Sequence, residues 1–228
     1  MIEENFKTIL SKIKQSCNLC NRNPNEIKVI AVTKTFPQNA IETIANLNVF
    51  DIGENFVQEI LEKKKEIKNE NINWHFIGHL QKNKIKYIAQ FVHLIHSVDS
   101  FELAYEIDKK GLQHNRKIDI LIEVNTTNEI SKFGVNSNNV FQFAEKILTL
   151  QNINLKGLMT LGPNTDNEIQ IRNSFLTLRN CRDKLINLDK NIIELSMGMS
   201  NDFEIAIQEG ATMLRLGTAI FGKRNKKL

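Results

Sequence analysis

Short apolar runs alternate with longer amphipathic stretches along most of the chain, and this alternation is the main structural signal. Eight runs have the length and the β-branched, apolar composition of strands: 28–33, 49–53, 73–78, 94–98, 118–124, 153–161, 192–196 and 212–216. The amphipathic stretches are long enough for crossover helices, for example 57–67, 80–91, 101–112, 140–150 and 168–188. The pattern therefore predicts an α/β protein with parallel strands.

Eight strand–helix units could form a doubly wound sheet or close into a barrel, and two features favour closure. The strand candidates are mostly apolar, as expected for strands that are covered on both faces. No shift in composition and no Pro/Gly-rich linker divides the chain. We therefore predict one (β/α)8 barrel domain over residues 1–228. Glycine and polar residues follow the strand ends, where such barrels build their active sites.

An additional helix is predicted before the first strand. One apolar face recurs every three or four residues and contains Phe6, Ile9, Leu10, Ile13, Cys17 and Cys20. Proline disfavours helix in the residue before it, so the helix should end near Asn23 and Pro24. Cys17 and Cys20 have CxxC spacing, but no second pair and no nearby histidine completes a zinc site, so we interpret them as core residues.

Composition and charge narrow the possible function classes. The chain has 228 residues and a formal net charge of +4. The excess lies largely in the basic residues Lys223, Arg224, Lys226 and Lys227, which we interpret as a solvated terminus. No arginine-rich stripe indicates nucleic-acid binding, and no recognised histidine spacing indicates a metal. No segment resembles a secretory signal or a membrane span, so a cytoplasmic location is expected.

Lys34 is the first candidate for chemistry, because it follows an apolar strand and would point into the mouth of a barrel. Apolar surroundings can depress the pKa of an amine and make it a nucleophile that forms a Schiff base with a carbonyl compound. The alternative, which position alone favours, is a lysine that extends to the solvated rim.

The last two strand ends supply candidates for phosphate binding. Ser200 is predicted to cap a helix whose first turn contains Asp202 and Glu204. Arg215, Gly217 and Thr218 follow the last strand and offer a guanidinium, close backbone approach and a hydroxyl. Barrels commonly bind phosphate at these two positions, although Gly217 and Thr218 alone are equally typical of an ordinary helix start. An amine beside a phosphate site suggests an aldehyde bearing a phosphate, and pyridoxal 5′-phosphate (PLP) is one.

Seven segments resemble motifs of the pyridoxal phosphate homeostasis protein family, in order along residues 28–224. They are 31–35 (AVTKT), 53–55 (GEN), 76–84 (FIGHLQKNK), 131–134 (SKFG), 157–160 (GLMT), 195–202 (LSMGMSND) and 215–222 (RLGTAIFG). The resemblance implies a barrel similar to the N-terminal domain of alanine racemase, which is PLP fold type III, with PLP held as a Schiff base.

The resemblance also implies roles for individual residues. Lys34 would form the Schiff base, and Arg215 would face the pyridine nitrogen. Three residues would hold the phosphate, namely Ser200, Gly217 and Thr218. Three more match positions near the cofactor, namely Asn55, His79 and Met159. Alternative roles for these three are a helix cap, a loop histidine and a core methionine. Lys132 of the fourth segment would either aid cofactor exchange or face solvent, and we favour solvent.

Three function classes remain open. The resemblance implies a monomeric PLP-binding protein that acts in vitamin B6 and amino-acid homeostasis without efficient turnover. Its candidate partners are PLP-dependent apo-enzymes. The alternative is a PLP-dependent amino-acid racemase or decarboxylase, whose relatives add a C-terminal β-domain carrying a catalytic tyrosine. We expect no such domain after the eighth strand, and Tyr87 and Tyr105 fall inside predicted helices. A Schiff-base aldolase that acts on a sugar phosphate is the third class.

Overall fold

The computed structural model of the protein describes residues 1–127, 129 and 132–222. Ser131 and the basic residues Lys223, Arg224, Lys226 and Lys227 lie outside the described residues. Among the helices that are described, none is both long and apolar enough to cross a membrane.

Parallel strands form the centre of the molecule. The described strands are β1 (Lys28–Val32), β2 (Asp51–Glu54), β3 (Asn73–Phe76), β4 (Leu94–Val98), β5 (Ile118–Asn125), β6 (Val135–Asn136), β7 (Ile153–Met159), β8 (Glu194–Ser196) and β9 (Met213–Leu216). Their order is β4-β3-β2-β1-β9-β8-β7-β5-β6, and β4 also pairs with β5. This last pairing closes eight of the strands into a barrel, while the two-residue β6 pairs with β5 outside it. The predicted (β/α)8 barrel is confirmed.

Helices surround the barrel, as its crossover connections require. The described α-helices are α1 (Ile2–Leu19), α2 (Gln38–Ala45), α3 (Val57–Glu66), α4 (Ile85–Ile88), α5 (Phe101–Gln113), α6 (Val140–Ile147), α7 (Glu168–Leu185), α8 (Phe203–Gln208) and α9 (Thr218–Phe221). The apolar faces of the helices pack on the outside of the barrel in one continuous core. A fully buried apolar side chain of this kind contributes about 1.5–3 kcal/mol to stability.

The N-terminal helix is present, with two corrections. Phe6, Ile9, Ile13 and Cys17 are buried as predicted, but Leu10 is 47% exposed because it lies at the edge of the buried stripe. The helix ends at Leu19, four residues earlier than expected, and is followed by a left-handed residue at position 21.

The helix predicted over residues 80–91 is wrong in extent. A 3-10 turn covers Lys82–Lys84, and only α4 follows it. Leu80 and Ile85 are both buried, but the four residues between them have only polar side chains and leave the first half of the stretch no apolar face. Predicted strand ends differ from the observed ones by up to two residues.

A second, smaller core fills the barrel interior. Side chains from five strands form it: Ile30, Leu94, Leu121, Met159 and Met213. The barrel is therefore packed inside like other barrels of this type, and open space occurs at its two ends.

Candidate functional site

A cavity of about 680 Å³ lies where the carboxyl ends of the strands meet. Its volume falls in the range of roughly 300–1,000 Å³ typical of small-molecule sites. Six of the eight residues singled out from the sequence line it: Lys34, Asn55, Ser200, Arg215, Gly217 and Thr218. They follow or end four different strands, so parallel pairing is what brings them together.

Lys34 sits in a turn with an unusual backbone. The next residue, Thr35, has a φ of +69°, a left-handed conformation that is rare for a β-branched residue. The backbone N–H of Thr35 donates to Oε1 of Glu59 at 2.6 Å. This contact with α3 helps to hold the turn that presents Lys34 to the cavity.

A buried ion-pair group, which we call the Lys63 cluster, supports the same turn. It consists of Lys63, Glu54, Glu59 and Thr33. The Lys63 ammonium donates to Glu54 Oε1 at 2.6 Å, to Glu59 Oε1 at 2.7 Å and to the Thr33 carbonyl oxygen at 2.7 Å. The Thr33 hydroxyl also donates to Glu54 Oε1, at 2.6 Å. Burial raises the pKa of Glu54, and the charge and hydrogen bond of Lys63 oppose that rise.

Asn55 lines the cavity, and its side-chain oxygen is buried. Among the described residues, this Oδ1 has no hydrogen-bond partner. The side chain does not cap α3, which begins after Phe56 without a side-chain cap. Gly78 lies against the backbone of Asn55, and a Cβ at that position would overlap the Asn55 carbonyl oxygen. Asn55 therefore lines the cavity and also carries a buried acceptor that has no partner among the described residues.

Arg215 lies on β9, one residue before the strand ends, and is almost entirely buried. Its Nη1 donates to the carbonyl oxygen and the hydroxyl of Ser196, each at 2.7 Å, and its Nη2 donates to the Thr160 carbonyl at 2.8 Å. Burial lowers the pKa of Arg215 to about 10, and the nearby carboxylates of Asp202 and Glu123 oppose that shift. The guanidinium is therefore a fixed cation at neutral pH.

Ser200 connects the two loops that follow β8 and β9. Its hydroxyl oxygen accepts a hydrogen bond from the backbone N–H of Ala219 at 3.0 Å. The prediction that Ser200 caps the next helix is wrong, because α8 begins at Phe203 and Asp202 occupies the cap position. Thr218 is the first residue of α9 and also lines the cavity. Thr218 thus starts a helix and lines the cavity at the same time.

His79 and Met159 do not line the cavity. The exposed ring of His79 stacks on Phe133, with ring centroids 4.1 Å apart and planes inclined by 20°. Met159 is buried in the barrel interior. Their proposed proximity to a cofactor stays a prediction.

Lys132 does not extend into solvent, contrary to expectation. Its ammonium pairs with Glu129 at 2.7 Å and donates to the carbonyl oxygen of Gly162, a cavity residue, at 3.3 Å. The loop after β5 therefore contacts the loop after β7 at the rim of the cavity.

Sequence reasoning missed several buried polar residues near this site. Glu123 is nearly inaccessible on β5, and burial together with repulsion from Asp99 raises its pKa to about 7. The signal in the sequence that could have identified Glu123 is its acidic side chain within the apolar run 118–124. No signal in the sequence distinguishes Lys63 as a buried lysine, because it is followed by Lys64 and Lys65 in a lysine-rich stretch.

Asp51, His75 and His93 offer ligand atoms within 4.8 Å of one another at the opposite end of the barrel. The three residues come from different segments of the chain, so no sequence spacing indicates the group. Asp51 Oδ1 already lies 2.8 Å from His75 Nε2 and accepts from Asn73 at 3.3 Å, and Lys28 Nζ is 3.9 Å away. Hydrogen bonds and an ion pair thus account for this arrangement.

The barrel and its mouth define a protein of the alanine racemase type. The family model described as alanine racemase, N-terminal domain, matches residues 6–225. A solved alanine racemase from Clostridium difficile 630 is 16% identical, with a TM-score of 0.77, over 98% of this chain and 57% of that one. This likeness concerns the fold alone.

Closer relatives narrow the family. A protein of Aquifex aeolicus named pyridoxal phosphate homeostasis protein is 42% identical over 97% of both chains. The solved structure of PipY from Synechococcus elongatus PCC7942, with PLP bound, is 29% identical, with a TM-score of 0.81, over 92% of this chain and 100% of that one. The chain belongs to the pyridoxal phosphate homeostasis protein family, which confirms the resemblance found in the sequence.

Proposed function

We propose that the protein binds PLP in the mouth of the barrel, with Lys34 as the Schiff-base residue, and acts in intracellular PLP and amino-acid homeostasis without efficient catalysis. The observation that carries the proposal is the meeting of Lys34, Arg215, Ser200 and Thr218 in one cavity. The family and the PLP in the related PipY structure support the same ligand.

The residues present fit the three parts of PLP. Lys34 supplies an amine for the aldehyde carbon. Ser200 and Thr218 supply hydroxyls, and Gly217 supplies backbone without a side chain, for a phosphate. Arg215 supplies a buried cation for the ring nitrogen, and Asn55 Oδ1 is an acceptor that still lacks a partner among the described residues. When bound, PLP supplies an electron sink, which is the chemistry that PLP-dependent enzymes use.

Two features of this chain argue against efficient turnover of amino acids. A permanent cation at the ring nitrogen disfavours its protonation and weakens the electron sink. Racemisation also needs an acid/base group within hydrogen-bond reach of the substrate α-carbon on each face. Tyr87 and Tyr105 are half-exposed on α4 and α5, and neither lines the cavity. The chain's two tyrosines thus offer no such group at the mouth.

The experiment that tests this function measures α-proton exchange of alanine and other L-amino acids in deuterated water. The holo-protein is compared with Lys34→Ala supplied with the same concentration of PLP, because free PLP catalyses slow exchange. We expect the two rates to be similar. Saturable exchange that depends on Lys34, at about 1 per second or faster, would support the alternative, a racemase.

A visible spectrum of the purified protein tests the ligand itself. An imine of PLP absorbs visible light, whereas a resting aldolase that uses the same lysine does not. We expect a visible band in the wild type that is lost in Lys34→Ala, and a colourless wild type after incubation with PLP would contradict PLP binding.

The same proposal makes the protein a cytoplasmic monomer that exchanges PLP with apo-enzymes. Light scattering at micromolar concentration should give a mass close to 26.2 kDa. A mass of twice that value would contradict the monomer.

A further inference from the structure

A chain of hydrogen-bonded side chains crosses the barrel interior from its floor to its mouth. It starts at Asp51, the first residue of β2, and ends at Arg215 on β9. His75 Nε2 is 2.8 Å from Asp51 Oδ1, and His75 Nδ1 is 3.0 Å from His96 Nε2. His96 Nδ1 is 2.9 Å from the hydroxyl of Ser196, which accepts from Arg215 Nη1 at 2.7 Å. We call these five residues the interior chain.

With both histidine rings neutral, the two ends of the interior chain fix the direction of every hydrogen bond in it. Arg215 only donates, and an ionised Asp51 only accepts. Ser196 accepts from Arg215, so its own hydrogen is available for His96 Nδ1. His96 must then donate from Nε2 to His75 Nδ1, and His75 must donate from Nε2 to Asp51. Each neutral ring therefore carries its proton on Nε2.

The surroundings of the two histidines favour this neutral state. His75, His96 and Ser196 have no solvent exposure. Burial lowers the pKa of His75 to about 4 and that of His96 well below its usual value. Burial also opposes ionisation of Asp51, but the hydrogen bond from His75, the charge of Lys28 and the hydrogen bond from Asn73 favour the carboxylate, and its pKa is lowered. Reversing the proton order would leave the Ser196 hydrogen without its present acceptor.

We propose that His75 and His96, held by Asp51, are positioning residues for Arg215, and that they fix the guanidinium in the mouth from the opposite end of the barrel. Ser196 Oγ can accept from Arg215 in this geometry because its hydrogen points towards His96. The positions of the protons on the two histidines do not depend on a bound ligand, whereas the effect of these residues on ligand binding rests on the proposed function.

The proton order is tested on the ligand-free protein by 15N NMR of the histidine side chains at pH 7. We expect two neutral rings protonated at Nε2, and their resonances are identified by loss in His75→Gln and His96→Gln. His114, which is exposed, provides a reference for a solvent-accessible ring. A charged ring, or a proton on Nδ1 of His75 or His96, would overturn the proposal.

The effect on Arg215 is tested with two substitutions of His96. In His96→Gln, the side-chain amide can still donate to His75 and accept from Ser196, whereas His96→Leu can do neither. We expect His96→Gln to bind pyridoxal, which lacks the phosphate, within about threefold of the wild type, and His96→Leu to bind it about tenfold more weakly. His114→Leu is the matched control and should bind like the wild type.

Equal affinity of folded His96→Leu and the wild type would overturn the positioning role. If His96→Leu does not fold, the NMR result and the pyridoxal affinity of His96→Gln test the proposal instead. A tenfold loss of pyridoxal affinity in His96→Gln would then contradict it. A wild type that binds no pyridoxal or PLP would refute the proposed function instead, and the NMR result would stand independently.

Discussion

Replacing Lys63 with Met should destabilise the protein strongly and in a pH-dependent manner. The side chain of Lys63 is 8% exposed, and its ammonium is the cation between Glu54, which is fully buried, and Glu59. Methionine has a similar length but offers no donor to these carboxylates. The substitution therefore leaves the carboxylate of Glu54 buried without its cation.

The magnitude follows from the charge on Glu54. Breaking a buried ion pair by removing one partner costs about 3–5 kcal/mol. In the variant, Glu54 can avoid part of this cost by taking up a proton. From an ordinary pKa of 4.5, protonation costs about 3 kcal/mol at pH 7 and below about 1 kcal/mol at pH 5. We therefore expect a loss of about 3 kcal/mol at pH 7 that becomes markedly smaller at pH 5.

The free energy of unfolding of the variant should fall as the pH rises. In the variant, the folded-state pKa of Glu54 rises further above its unfolded value, so the folded state binds the proton more tightly. Stability is then lost as the pH rises from about 4.5 towards the folded-state pKa. In the wild type, Lys63 compensates the charge and the same interval should show a weaker dependence.

Urea-induced unfolding at pH 5, 6, 7 and 8 measures the effect. Lys65→Met is the matched control, because it makes the same change at an exposed position of α3 and should alter stability by less than about 0.5 kcal/mol. Adding Glu54→Gln to Lys63→Met should remove most of the pH dependence. A cost for Lys63→Met no larger than that for Lys65→Met, or one that grows at low pH, would refute the reasoning.

Two further predictions concern the mouth. Ser200→Ala and Thr218→Val should each weaken PLP by about 1.5–3 kcal/mol, the range for a hydrogen bond to a charged group, and should weaken pyridoxal much less; equal losses in equilibrium titrations with both ligands would show that these hydroxyls do not bind the phosphate. Glu123→Gln should be more stable than the wild type at pH 8, by up to about 3 kcal/mol, because the raised pKa of Glu123 makes its ionisation between pH 4.5 and about 7 destabilising. Urea unfolding at pH 4.5 and 8 checks this, and an equal difference at both pH values would contradict it.

Much of the fold was predictable because strand and helix periodicities are local properties of the sequence. Lys34, Ser200 and Thr218 could be singled out because parallel strands in a barrel bring their carboxyl ends to one mouth. The stretch 80–91 could not be predicted well, since its polar first half is positioned by neighbouring elements rather than by its own pattern.

The buried polar groups were not predictable for a different reason. His96 and Ser196 are 100 residues apart and meet only because opposite walls of the barrel face each other. Lys63 differs from Lys64 and Lys65 only by the side of α3 on which it lies, and the lysines themselves carry no apolar signal. Such contacts depend on strand register and helix rotation, which composition and spacing leave open.

The central claim is that Lys34 carries PLP at the mouth of the barrel. Reduction of the PLP-loaded protein with borohydride converts the imine into a stable pyridoxyl adduct, which peptide mapping by mass spectrometry locates. We predict an adduct on Lys34 in the wild type and its loss in Lys34→Ala, which should still fold because it removes an amine at the rim. Recovery of the adduct mainly on Lys132 or Lys84 would contradict the account.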